Sequence, residues 1–242
     1  MGVVKREAAS VFRKFGYDVQ RLTSRDEWKW ASHVRPIIAR RNTQTYDDAR
    51  ALAEKYQTPV FGPVMSWDAL ERLALCVDEV DQRLGLVSQL VHTLQVADGM
   101  LADGIDDPDL IIAALFHDVG KVLLLVGEDP ANVGGPTAVL SAPGAGVGLD
   151  QCTLQWGADE FAYARLKDHV PDHVGWLIRY HSIDIAAERP FMDARDERYV
   201  DEYLTLFQRY DEPTKSWSQL PTRRLEDFRD LIDAWFPEPI LF

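Results

Sequence analysis

From Tyr46 onward the apolar positions recur at three- and four-residue intervals, which predicts helices. Ser66 stands where a helix cap belongs, ahead of a stripe of Leu70, Leu73 and Val77. A second helix is expected from Leu84 to Met100, with Leu86, Leu90, Val91 and Leu94 toward one face. Asp107 followed by Pro108 is a helix start, and the unbroken apolar run Leu110 to Phe116 reads as a fully buried helix. Between Gly127 and Asp150 the pattern fails. Six glycines and three prolines in those 24 positions predict a long loop with no regular element. Helical spacing returns at about 158–168, 172–181, 198–210 and 223–235, with Pro171 and Thr222 at two of the starts. Alternating, strand-like stretches are nearly absent, so the expected fold is all-α. Residues 1–45 are rich in Arg and Lys and weakly periodic, and read as an N-terminal appendage to a domain at 46–242.

Composition narrows the function more than the fold. The 242 residues are 46% hydrophobic and 27% charged, an ordinary globular mixture. Acidic residues outnumber basic ones by 39 to 26, a net charge of −13 that disfavours a nucleic-acid partner. No apolar run is long enough to span a membrane, and the N-terminus lacks a signal-peptide core. A soluble, cytoplasmic protein, as a monomer or small homo-oligomer, is expected. Cys76 and Cys152 are too few for a disulfide framework or thiolate cluster, and their apolar neighbours predict buried, inert thiols.

The chemistry lies in the six histidines: 33, 92, 117, 169, 173 and 181. His117 and Asp118 adjoin at the end of the apolar helix, where burying both without a partner is costly. A divalent metal would be such a partner, since imidazole offers a neutral nitrogen and Asp an anionic oxygen able to bridge two ions. The blander alternative has His117 capping its helix and Asp118 solvated. His92 lies 25 residues upstream with Gln95 and Gly99 on the same face, and Asp211 closes a later helix. A His, His-Asp, Asp set spread over three helices resembles the HD superfamily, whose helical bundles bind divalent metals.

Five blocks narrow the resemblance: His92–Gly99, Leu115–Val122, Gln155–Phe161, Ile178–Ser182 and Tyr210–Lys215. In this order and with nearly this spacing they resemble myo-inositol oxygenase, from about Tyr46 to the C-terminus. The resemblance implies an HD-domain helical bundle with one or two iron ions and O2 as co-substrate. It assigns His92, His117, Asp118 and Asp211 to a first iron, and His181 with a bridging Asp118 to a second. It makes Lys121 and His181 catalytic candidates. It also makes Asp78, Lys121, Gly134, Gly135, Ser182 and Lys215 contacts for a hydroxylated small molecule, with the Gly-rich loop closing over it. In Trp156-Gly157-Ala158-Asp159-Glu160 the family carries a second-iron histidine where this chain has Ala158. The second metal is then absent, or another side chain replaces the ligand (His169 and His173 are the nearest histidines), or the histidine has been removed by engineering. The favoured expectation is a single-metal centre.

Two chemistries follow. An iron oxygenase would use O2 to oxidise or cleave a C–H or C–C bond of a polyol. An HD-type phosphohydrolase would use metal-activated water, with Lys121 and Lys215 taking the phosphate. A catalytically silent relative is a third reading.

Overall fold

The computed structural model describes residues 33–242; residues 1–32 of the expected appendage lie outside it. Helix α1 (Arg35–Asn42) is followed by α2 (Tyr46–Lys55), whose start is closed by a reciprocal cap between Thr45 and Asp48. Then come α3 (Ser66–Leu73), α4 (Gln89–Ala102) and α5 (Pro108–Phe116), which runs into a 3₁₀ helix at Val119–Val126. The second half holds α6 (Ala158–Leu166), α7 (Asp172–Tyr180), α8 (Ala194–Tyr199), α9 (Asp211–Thr214) and α10 (Arg229–Trp235). The fold is helical as expected, with strands of two or three residues in two small antiparallel ribbons, Pro63–Val64 with Ile240–Leu241 and Val139–Ser141 with Thr153–Leu154.

Helix α5 is the axis of the core. Asp107 caps it, its carboxylate accepting from the Asp109 N–H at 2.9 Å, and every side chain from Leu110 to Phe116 is buried. A helix that is apolar all round must be covered on all sides, and α4, α7 and α10 pack around it. The other layer is α6 against α7 and the 3₁₀ helix. His117 and Asp118 therefore emerge at the end of the most enclosed helix, among neighbours that cannot solvate them.

Several boundaries differ from the expected ones, and the differences serve the interior. Helix α3 stops at Leu73, so Val77 falls beyond it and is 37% exposed; Ser66 is its first residue and makes no cap bond. Beyond the helix Asp78 folds onto its own backbone, accepting from the Val80 N–H at 2.9 Å. Helix α4 begins at Gln89 rather than Leu84, and Leu86 is 51% exposed. The 198–210 helix is part of one run from Ala194 to Phe207 with a π turn at Val200–Leu204. The last helix starts with a 3₁₀ turn at Leu225–Phe228 preceded by Arg224, and Thr222 does not cap it but donates to the Asp98 carboxylate.

The 127–150 segment is more ordered than its composition suggests. It holds a 3₁₀ turn at Pro130–Asn132 and the strand Val139–Ser141. Helix α1 pins it. The buried Arg41 guanidinium donates to the carbonyls of Trp156 and Pro136, and Gln44 exchanges hydrogen bonds with the Trp156 backbone. Gly157 lets the chain pass close here, since a Cβ there would lie 3.2 Å from both terminal nitrogens of Arg41 and the guanidinium would have to give by a few tenths of an ångström.

Candidate active site

Packing, more than local sequence, delivers the polar groups. The α4 face that carries His92 also carries Gln95 and Gly99. Gln95 donates to the carbonyls of Ser216 and Gln219 at 2.7 and 2.6 Å. A side chain at Gly99 would meet Thr214 and Tyr210 at 3.2 Å. That docking carries Asp211, the first residue of α9, to His92. His117 and His181 sit just past the ends of α5 and α7, and each imidazole Nδ1 donates at 2.9 Å to a carbonyl one turn back, Ala114 and Ile178. The same hydrogen bond that orients each ring leaves its Nε2 with a lone pair, as a metal ligand requires.

The Nε2 atoms of His92 and His117 are 3.1 Å apart, and Asp211 Oδ1 is 3.1 Å from His92 and 3.8 Å from His117. Asp118 Oδ2 approaches the same nitrogens at 3.5 and 3.3 Å. On the other side, His181 Nε2 lies 3.9 Å from Asp118 Oδ1. His92, His117 and Asp211 form one set of mutually close ligand atoms; His117, Asp118 and His181 form another. All five side chains are buried, and Asp118 Oδ2, besides facing the imidazoles, is 3.2 Å from Lys121 Nζ without a well-formed hydrogen bond. Two imidazole nitrogens and carboxylate oxygens buried this close together are a donor set that a divalent cation would satisfy. The donor set, imidazole nitrogen and carboxylate oxygen without thiolate, suits iron.

The two imidazoles of the first set are shifted in opposite directions. Burial and Lys215 push His92 down, toward the neutral form that can ligate, whereas at His117 burial is outweighed by Asp118 and Asp211, which push the imidazole up while no cation is present. Burial opposes the charge on Asp118 and Asp211. Lys121 and His117 at the first, and Lys215 and His92 at the second, outweigh it and hold both carboxyls well below the usual range. Lys121 and Lys215 are held well above theirs despite burial, Lys121 by Asp118 and Asp81, Lys215 by Asp81 and Asp211.

Of the metal-ligand candidates, Asp118, His181 and Asp211 line a cavity of about 820 Å³ together with Lys121, Ser182, Lys215, Gly134 and Gly135, whereas His92 and His117 are fully buried and do not reach it. Asp78 lies 3.1 Å from Lys121 Nζ, and burial pushes its carboxyl up. Gly134 has room for no side chain, because a Cβ would come within 2.6 Å of Asp78 Oδ2. Gly135 adopts φ +97° and backs onto Arg41. Lys121 and Lys215 both reach inward to Asp81, at 2.5 and 3.1 Å.

Three residues were missed by sequence reasoning. Asp81 bridges the two lysines, and Gln89 accepts from Lys121 at 3.0 Å while donating to Asp81. Asp159 lines the cavity next to His181. The acidic run 78–81 was the available signal for Asp81, and the block around Ala158 for Asp159. His169 and His173 do not join the site as replacement ligands. His169 is exposed, and His173 pairs with Asp109 at 2.6 Å and stacks on Tyr203. Ala158 is buried in the core.

The family model described as Myo-inositol oxygenase matches residues 33–143 and 140–242. Among curated proteins, the chain is 26% identical to the "Probable inositol oxygenase" of Oryza sativa subsp. japonica, over 94% of this chain and 84% of that one. It is 28% identical to "Inositol oxygenase 2" of Arabidopsis thaliana over 80% and 73%. With "Inositol oxygenase" of Homo sapiens it shares 27% identity over 57% and 60%. No helix among the described residues is long and apolar enough to cross a membrane.

Proposed function

The chain belongs to the myo-inositol oxygenase family, and from that premise we propose that it is an iron-dependent oxygenase acting with O2 on an uncharged polyol or similar hydroxylated molecule. His92, His117, Asp118 and Asp211 would hold one ion, and His181 with Asp118 would face a second position. When bound, iron supplies the redox chemistry that activates O2.

The observation that carries the substrate class is the state of the two cavity lysines. Lys121 Nζ is surrounded by Asp81, Asp78 and Asp118 at 2.5, 3.1 and 3.2 Å. Lys215 Nζ is held by Glu212 and Asp81 at 2.6 and 3.1 Å. Ammonium groups already matched by carboxylates are poor receptors for a phosphate dianion, which would compete with every one of those pairs. They are good receptors for a hydroxyl, which takes one N–H and leaves the others engaged. Because both lysines keep their protons, they act as donors that fix hydroxyl oxygens and not as bases. Ser182 Oγ, at the cavity wall, adds a further polar contact. The carboxylates behind the lysines hold them in place, so the substrate meets a preorganised set of donors.

The test loads the protein with Fe²⁺ without oxygen, then measures O2 uptake on myo-inositol and on a panel of cyclic and linear polyols. O2 consumption matched to formation of an oxidised product is expected. Release of phosphate from phosphate esters without O2 uptake would overturn the reading and leave the phosphohydrolase.

A further inference from the structure

We propose that Asp159 supplies the ligand that Ala158 cannot, so that the second metal position is built from one imidazole and two carboxylates: His181, Asp118 and Asp159. The inference rests on the metal-centre reading above and goes beyond it, because it assigns a two-ion centre to a chain whose sequence predicts one.

Asp159 is in the first turn of α6, buried to 6% exposure, and faces the cavity. Its two oxygens do different things. Oδ2 accepts from Ser182 Oγ at 2.5 Å and from Thr137 Oγ1 at 3.0 Å. Those two hydroxyls fix the carboxylate plane. Oδ1 is turned to His181, 3.8 Å from Nε2. The same nitrogen has Asp118 Oδ1 at 3.9 Å, so it is near two carboxylate oxygens and beyond hydrogen-bond distance of both. The Nδ1 bond to the Ile178 carbonyl leaves Nε2 with its lone pair available. Ligand atoms at about 2.0–2.2 Å from one ion stand at most ~4.4 Å apart, so both separations suit a shared cation. They are too long for direct pairing.

The alternative donors are elsewhere. His169 and His173 lie outside the site, as described, and the Ala158 methyl is packed in the core. The backbone there has no slack, since a Cβ on Gly120 would lie 2.0 Å from the Ala158 carbonyl oxygen. A carboxylate in place of an imidazole also adds negative charge, which favours a hard divalent or trivalent ion at this position.

The experiment is metal binding by the whole protein, titrated without oxygen with Fe²⁺ and separately with Mn²⁺, independent of turnover. The parent should take two ions per chain. Asp159→Ala and Asp159→Asn should keep one, with second-ion affinity falling by more than about a hundredfold, the upper range for residues that merely support a ligand. Far-UV circular dichroism checks that the variants are folded. In the Mn²⁺-loaded parent, nitrogen couplings in pulsed electron paramagnetic resonance should report one imidazole on the second ion. A parent that binds one ion overturns this inference and leaves the oxygenase proposal standing; a parent that binds none overturns both. Two ions retained by folded Asp159 variants, or two imidazoles on the second ion of the parent, overturn the assignment of Asp159.

Discussion

The two sides of Asp118 differ in how tightly they are drawn together. On the His92 side, two imidazole nitrogens stand 3.1 Å apart with Asp211 Oδ1 3.1 Å from one of them. On the His181 side the separations are 3.8 and 3.9 Å, and one imidazole faces two carboxylates. The tight side is assembled from α4, α5 and α9, which pack face to face around the core. The open side depends on the first turn of α6, whose position is set by the Trp156-Gly157 crossing under Arg41. Helix packing fixes the first set directly; a loop pinned by one buried guanidinium fixes the second. A metal centre with one firm and one looser half is the consequence, and the looser half is where this chain departs from its family.

The strongest way to break the comparison is to remove what the halves share. Asp118→Ala should abolish binding on both sides, with metal content near zero and O2 uptake down by more than about a hundredfold. Asp211→Ala should empty only the tight side. Equal metal loss in Asp211→Ala and Asp118→Ala would mean that the halves do not load separately. Lys121→Met leaves Asp78, Asp81 and Asp118 facing one another without the ammonium between them. It should destabilise the metal-free protein by about 3–5 kcal/mol, the cost of stripping one partner from a buried ion pair, read as a shift in the denaturant midpoint.

Acid sharpens the same point. A carboxylate whose pKa is depressed on folding contributes stability above its unfolded value of about 3.9, and loses it as pH falls through the folded value. Asp118 and Asp211 are both depressed, so the metal-free protein should hold its stability near neutrality and lose it progressively below about pH 4. The raised lysines act in the opposite window. Their contribution is complete below about 10.4 and is lost only as pH rises beyond it toward their raised values. Between pH 6 and 8 neither set changes charge, and a fall there as pH rises belongs to His117, which Asp118 pushes up against burial. A metal-free denaturation midpoint that rises as pH falls below about 4 would contradict the carboxylate sign. The smallest effect belongs to His173→Ala, which removes a half-buried pair with Asp109 far from either half. It should cost under about 1 kcal/mol and leave metal content unchanged.

Much of the site was legible because its residues sit in short blocks whose chemistry is unusual for a core. His117-Asp118 after seven apolar residues is costly to bury unless something binds there, and the family blocks added His181, Lys121 and Lys215. Asp81 was hidden by its setting, one acid in an acidic run that reads as solvent-facing until the chain is seen to turn inward after Leu73. Asp159 was hidden by the alanine beside it, since a missing ligand draws attention to histidines and not to the adjacent carboxylate. The long Gly-rich segment was read as lacking regular structure because its hydrogen bonds run to α1 and to the Thr153–Leu154 strand, partners that composition does not reveal.

The sequence by itself determined the helical class, the buried α5, and the residue types that can hold a metal, because periodicity and unusual polar residues are local properties. Tertiary structure alone decided which of them meet. His92 and Asp211 are 119 positions apart and 3.1 Å in space, a proximity set by Gln95 and Gly99 docking α4 onto the 210–219 segment. Likewise, whether Asp159 faces solvent or His181 depends on the direction of the first turn of α6. That direction follows from the buried Arg41 and the absent side chain of Gly157, long-range contacts that no local pattern encodes.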